Sequence, residues 1–322
     1  MVIEVDNSHN CDWVMMLTAY FDETRAADWP TQSVRLAERL AAELQVEPTH
    51  FGISPAQPKP KGLRSDYSYR WLPKNVARLW DHLDEGNARV IEVMARSSAS
   101  EYLIDSDFYL EVHSCLADCI RGLVYVQVAS HLMKMRQIDT HRWFSTLIEE
   151  LDRIADVRYG FVQPMTLSAM PSMFPIGVSG AGSSPAELMD IDTWVRNLRD
   201  HRLKARNLYW GNLITSSHCI ANFAGATKEI TDVVGADNVV ILPEDKVFFT
   251  LPLPMEDLKG LGDNAPYRQM KERLAAVIRF MAQEAPADAM KTPLDLSGQP
   301  VGADTRIAIV NLGKLTPGRP HR

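Results

Sequence analysis

The sequence predicts an α+β fold: a mixed, mainly antiparallel sheet or sheets with helices packed on one side. Two observations carry this. Between Arg64 and Ser130 strand-like runs follow one another with connections too short for the crossover that a parallel pair needs. On either side of that block stand stretches whose apolar residues recur at helical spacing. Both halves mix strands and helices, so they can be two related lobes, 1–155 and 156–282, followed by an extended tail over 283–322. At 322 residues, 46% of them hydrophobic, the chain can support one large core or two modest ones.

The elements follow in order. Trp13 to Phe21 is an apolar run with aromatic ends and reads as a strand. Thr31 is placed to cap a helix to about Leu44, with Val34, Ala37, Leu40, Ala41 and Leu44 on one face. Pro48 through Pro60 reads as a surface loop, because proline-rich composition does not sit inside a sheet or a helix. Ser65 to Leu72 is strand-like. Pro73 opens a short helix carrying Val76, Leu79, Trp80 and Leu83, and three strands come after it. In Asp105 to His113, Phe108, Leu110 and Val112 face one way while Asp107, Tyr109, Glu111 and His113 face the other. In Ile120 to Val128, Gly122, Val124, Val126 and Val128 share a face.

A helix over Thr140 to Ile154 turns Trp143, Leu147, Leu151 and Ile154 inward and Glu149, Glu150 and Asp152 outward. Tyr159 to Met165 is a strand and Ser168 to Ser184 a long loop. Ser184-Pro185-Ala186-Glu187 then opens a helix with an N-cap serine, a proline at the first position and the reciprocal glutamate of a capping box. Leu188, Ile191, Val195 and Leu198 form its buried stripe, flanked by Asp190 and Asp192. Asn207 to Thr215 is a strand, Thr227 to Val234 a helix, and Asn238 to Leu242 with Val247 to Leu251 a hairpin. A last helix begins near Asp263 and places Met270, Leu274, Val277, Ile278 and Met281 on one face. Thr305 to Asn311 can add one edge strand.

The net charge of −7 disfavours a nucleic-acid binder and suits a basic protein partner. Met1 to Asp6 lacks the pattern of a secretory signal, and no window approaches the roughly 18 apolar residues of a membrane helix. The cysteines Cys11, Cys115, Cys119 and Cys219 form no C-x-x-C pair and read as reduced thiols, which suits the cytoplasm. No cofactor and no metal is expected.

Few groupings suggest chemistry. Asp107, Glu111 and His113 share one strand face, and carboxylates so placed can hold a divalent metal. Their order resembles the D…E-x-K arrangement of restriction-type nucleases with histidine in the lysine position, which supports a metal-dependent hydrolase or nuclease as the alternative function. Gly177 to Ser184 looks like a phosphate cradle but has neither the lysine nor the preceding buried parallel strand that one needs. His113, Cys115, Cys119, His131 and His141 cluster in sequence without the spacing of a structural zinc site. His218-Cys219 lacks an acid to orient the histidine.

The most informative stretch is Asn207-Leu208-Tyr209-Trp210-Gly211-Asn212-Leu213-Ile214. His218, the small-residue run Phe223-Ala224-Gly225-Ala226, two short β-type runs and Leu261-Gly262-Asp263 come after it, before the last helix. This order resembles the C-terminal half of immunity proteins that protect bacteria from their own type VI secretion and polymorphic toxins. Within them it is most similar to the family that accompanies restriction-endonuclease-fold nuclease toxins. The resemblance implies a binding protein without catalytic residues, which neutralises a cognate toxin, in this case a basic nuclease domain. It also implies that Tyr209, Trp210, Gly211 and Asn212 form a structural motif. Charge placement nominates Asp105, Asp107, Glu111, Asp190, Asp192, Glu256, Asp257 and Asp263 as the toxin-binding acids.

Overall fold

The computed structural model describes residues 13–55, 69–84, 88–96, 106–114, 122–167, 171, 174–177, 183–197, 200–254 and 264–281. The strands are β1 (Trp13–Thr24), β2 (His50–Pro55), β3 (Tyr69–Arg70), β4 (Ala88–Ala95), β5 (Phe108–His113), β6 (Gly122–Ala129), β7 (Ala155–Thr166), β8 (Gly211–Thr215), β9 (Val239–Leu242) and β10 (Lys246–Thr250). The helices are α1 (Trp29–Glu43), α2 (Pro73–Asp84), α3 (Ser130–Met135), α4 (Thr140–Ile154), α5 (Pro185–Asn197), α6 (Phe223–Val234) and α7 (Ala265–Leu274). The fold class is α+β.

All ten strands join one sheet in the order β3-β2-β4-β5-β6-β1-β7-β8-β10-β9. Every neighbouring pair is antiparallel. β1 lies near the middle, between β6 and β7. From Val14 to Phe21 no side chain exceeds 3% exposure, which is why this strand reads as a continuous apolar run rather than an alternating one. The expected division at 155/156 falls at the first residues of β7, and the sheet runs across it without a break.

Helices α1 and α4 lie side by side on one face, joined by Trp143 Nε1 donating to Glu43. α4 touches the sheet through His141, which stacks on Phe248 and bonds Thr250. α5 packs on the opposite face, where Trp194 meets the ring of Tyr20 at 5.1 Å, so helices lie on both faces of the sheet and not on the one side expected.

Several boundaries differ from the sequence reading. α1 starts at Trp29, with Asp28 rather than Thr31 at the cap position and Pro30 in the first turn, where its missing N–H costs nothing. The expected loop after Pro48 contains β2. Phe51 and Ile53 alternate with Gly52 and Ser54, and Pro55 sits at the strand's last position, where a proline is tolerated. The helix expected to reach Met281 ends at Leu274. Ile278 and Met281 are buried nonetheless, because the chain continues past α7 and bridges Cys219 through Ile278 and Ala205 through Phe280. Thr305 to Asn311 lies outside the described residues.

Candidate functional site

One row of directly opposed residues crosses nine strands. It runs Gly52, Glu92, Glu111, Tyr125, Thr18, Phe161, Asn212, Phe249 and Val239. Side chains alternate faces along a strand, and Phe248 and Thr250, at the other positions of β10, touch α4. The row therefore lies on the face that α5 covers, and polar clusters stand at two places along it.

The first spans β4 and β5. Glu92 lies over Gly52, where a β-carbon would overlap its carboxylate and force it to shift. Glu111 stands directly across from Glu92, an arrangement of like charges that costs stability unless one is neutralised. Burial, reinforced by the charge of Glu111, pushes Glu92 up to about 7, while His113 and the Tyr109 hydroxyl pull the other way. His113 Nε2 contacts Glu111 Oε1. Burial opposes the imidazolium, but the bond to Glu111 and the charges of both glutamates outweigh it and hold His113 above its usual value. Burial, with Glu111 beside them, keeps the Tyr109 and Tyr125 phenols protonated. The cluster can therefore exchange a proton close to neutral pH.

The Asp107 carboxylate lies 3.9 Å from His131 Nε2, and of the trio expected on one strand face Glu111 and His113 are in contact. Among the described residues no group of three or more His, Cys, Asp and Glu is placed to hold a metal ion.

The second cluster is centred on Arg206, fully buried just before β8. Its Nε donates to Asp190 at 2.6 Å, and both side chains have no solvent exposure. Tyr209 donates its hydroxyl to the same carboxylate at 2.9 Å, and Nη1 of Arg206 donates to the Phe174 carbonyl. The guanidinium lies 4.0 Å from the ring centre of Phe174 and 5.1 Å from that of Trp194. Burial works against the Arg206 cation, but Asp190 more than compensates and raises it further.

Asp190 is therefore not a toxin-facing acid. The buried residues of α5 are Glu187, Asp190, Ile191, Thr193 and Trp194, so of the expected stripe Leu188, Ile191, Val195 and Leu198 only Ile191 is among them. Leu188 is exposed, Val195 is half-buried and Leu198 lies outside the described residues. The capping box expected at Ser184 and Glu187 is present in both directions.

Tyr209, Trp210, Gly211 and Asn212 form a buried turn. The Tyr209 N–H donates to Asn212 Oδ1 at 2.9 Å, and Asn212 Nδ2 donates back to the Tyr209 carbonyl at 2.8 Å. Tyr209 stacks on Phe161 at 4.2 Å, Trp210 meets Phe144 edge-on, and a β-carbon at Gly211 would crowd Phe248 and Val162. Each side chain in this motif is committed to the interior.

On the α4 face, Lys246 is fully buried and donates to Asp152 at 2.7 Å and Asp156 at 2.9 Å. Burial alone would raise Asp156, yet Lys246 and Arg25 hold it below the usual carboxylate range. Arg25 also binds Glu244 in the β9–β10 turn. Asp152, expected to face outward, is thus an internal counter-ion.

The other candidates resolve simply. Both His218 ring nitrogens are engaged, by Thr215 and the His201 carbonyl, and burial lowers its pKa to about 4. Burial pushes the Cys219 thiol up. Asp192 is 38% exposed and pairs with Arg196 one turn on. Asp105, Glu256, Asp257 and Asp263 lie outside the described residues, as do Cys115, Cys119 and most of the glycine-rich loop before Ser184.

Three charged residues that organise the interior, Glu92, Arg206 and Lys246, escape the sequence reading. Each leaves a trace: a lone charge inside or beside an apolar run, namely Arg-Val-Ile-Glu-Val-Met, Arg-Asn-Leu-Tyr-Trp and Lys-Val-Phe-Phe.

No family profile and no curated protein sequence matches the chain. Among solved structures it is similar to a type VI secretion system (T6SS) protein of Pseudomonas aeruginosa, at 14% identity and a TM-score of 0.47 over 86% of this chain and 77% of that one. Among the described residues no helix is long and apolar enough to cross a membrane.

Proposed function

We propose that this protein is an immunity protein: it binds a cognate secreted toxin, a basic nuclease effector of a type VI secretion system, and neutralises it. The observation that carries this reading is how the family-like block folds. Asn207 to Thr250 builds the β8–β10–β9 end of the sheet. The motif that carries the resemblance, Tyr209 to Asn212, is used up inside it on packing and mutual hydrogen bonds. Residues so committed shape a rigid surface and are not available to a substrate. The net charge of −7 supports the same reading, since a nuclease must be basic where it grips phosphate.

The hydrolase alternative has two of its three residues, Glu111 and His113, in contact. It retains one specific support, a proton near neutral pH on the Glu92–Glu111–His113 cluster.

The test is co-expression with the toxin-like product of the neighbouring gene in a sensitive host. Rescue of growth, with co-elution of the two proteins, is the expected result. Growth arrest in the presence of this chain, with separate elution, removes the proposal. Turnover of a nucleic acid or ester that chelators abolish, and that Glu111→Ala reduces by orders of magnitude, establishes the alternative.

A further inference from the structure

We infer that the outer edge of β9 is the docking strand for the toxin, accepting an extended, basic segment of it as an eleventh strand. This inference rests on the immunity reading above. β9 ends the sheet order, so one side of its backbone has no strand partner among the described residues. Its sequence is Val239-Val240-Ile241-Leu242, with no charge and no proline in it. Natural sheets protect such an edge with lysine, proline or a bulge, and β9 pairs with β10 in unbroken register. Ile241 is 67% exposed, the most exposed of the large hydrophobic side chains described, and Val239 and Val240 are half-buried.

The chemistry at the two ends of this strand selects the occupant. Asp237 lies two residues before β9, and Asp245 follows the strand in the turn to β10. Both are exposed, and neither carboxylate is ion-paired with a described residue. Of the cations in this region, Lys246 is buried on Asp152 and Asp156, Arg25 binds Glu244, Lys228 binds Asp232 and Arg273 binds Glu229, while Arg279, whose charge like that of Asp245 is felt at Cys219, donates to the Ser217 carbonyl. An apolar edge about 13 Å long with an exposed acid near each end fits a strand whose centre is apolar and whose ends carry lysine or arginine. A second copy of this chain fits worse, because antiparallel pairing of two β9 edges would set Asp237 and Asp245 of one copy against the same acids of the other.

The probe is the basic C-terminal domain encoded by the neighbouring toxin gene, inactivated by substitution and titrated calorimetrically against the full chain. Ile241→Lys is expected to weaken binding by about tenfold to a hundredfold. The pair Asp237→Lys and Asp245→Lys is expected to weaken it less and to flatten its salt dependence. Met135→Lys, which alters an exposed methionine at the end of α3, after β6 and with four strands between β6 and β9 in the sheet order, is expected to bind as the native chain does. Backbone amides of 239–242 should exchange quickly in the free chain and slowly in the complex.

Native affinity in all variants, with unchanged exchange at β9, overturns the edge while leaving the immunity reading in place. No binding by the native chain removes both. Slow exchange at β9 before toxin is added would mean that another segment of this chain covers the edge. A dimer that Ile241→Lys dissociates would mean that a second copy does. Either result overturns the inference. If Ile241→Lys unfolds the protein, the exposed Asp237 and Asp245 substitutions decide the matter alone.

Discussion

The two polar clusters on the α5 face of the sheet are built from similar residue types and do opposite things. Around Arg206 the charges balance: one guanidinium, one carboxylate, the Tyr209 phenol donating to that carboxylate, the Tyr159 phenol accepting from the Arg206 backbone N–H, and aromatic rings alongside. Around Glu92 they do not, because two glutamates face each other across β4 and β5 with a single histidine, bound to Glu111, to offset them. The difference shows what a buried charge does in this fold. A balanced pair fixes α5 onto the sheet. An unbalanced one titrates where the cell can titrate it.

The largest expected effect tests the balanced cluster. Asp190→Ala leaves Arg206 as a buried cation without its counter-ion, and the loss should be about 3–5 kcal/mol. Chemical denaturation at pH 7 measures it. A loss below about 1 kcal/mol would mean that the guanidinium is held by its aromatic rings and the Phe174 carbonyl alone.

Next comes Lys246→Met, which removes the cation shared by Asp152 and Asp156. Arg25 still reaches both carboxylates, at 3.9 and 2.8 Å, so the cost should be smaller, about 2–3 kcal/mol. Combining Lys246→Met with Arg25→Met should cost more than the sum of the two single changes, because only then does Asp152 lose both of its cations while Asp156 is left with Arg158 alone. Strict additivity would show that the two cations act independently.

Glu92→Gln tests the unbalanced cluster and should have the opposite sign. The folded-state pKa of Glu92 is raised to about 7, so the folded chain binds the proton more tightly than the unfolded chain does. Its contribution is therefore unfavourable above the unfolded value and grows as pH rises from about 4.5 toward 7. His113 is also raised, and the stability it adds is lost as pH climbs through its folded value. Both make the chain less stable on going from mildly acidic to alkaline conditions. Glu92→Gln should raise stability at pH 8 by about 1–2 kcal/mol and flatten the slope between pH 5 and 7. Denaturation midpoints across that range give the answer. An unchanged slope would assign the proton elsewhere.

Much of the fold was legible because apolar periodicity reports burial. The capping box at Ser184, the helix over Thr140 to Ile154 and the hairpin of β9 and β10 were each specified by residues within one element. What escaped was set by partners distant in sequence. Nothing local to Asp152 announces Lys246, which is 94 residues away, and nothing near Glu92 says that it will face Glu111. The strand at His50 was obscured for a different reason. Prolines around it describe its ends, and the alternation of Phe51 and Ile53 between them was too short to outweigh that signal. The same limit applies to the candidate site: Glu111 and His113 were identifiable from strand alternation, whereas the acid that gives them their behaviour comes from the neighbouring strand.

Asp190 and Asp192 put this limit in its smallest form, and the smallest expected effect comes from them. Two residues apart on a helix, they point about 200° away from each other. A sequence reading that treats polar as outward places both in solvent, and the structure places only Asp192 there, paired with Arg196. Asp192→Ala should change stability by no more than about 0.5 kcal/mol, because an exposed pair one turn apart is worth little. Its role, if it has one, must then appear in toxin binding and not in folding. Measuring both variants by denaturation and by calorimetry against the same toxin domain separates the two acids. Asp190→Ala should lose stability first and affinity only as a consequence, while any deficit in Asp192→Ala should be in affinity alone. A loss of several kcal/mol in Asp192→Ala would break the comparison, for it would mean that α5 is held to the sheet by both of its sides.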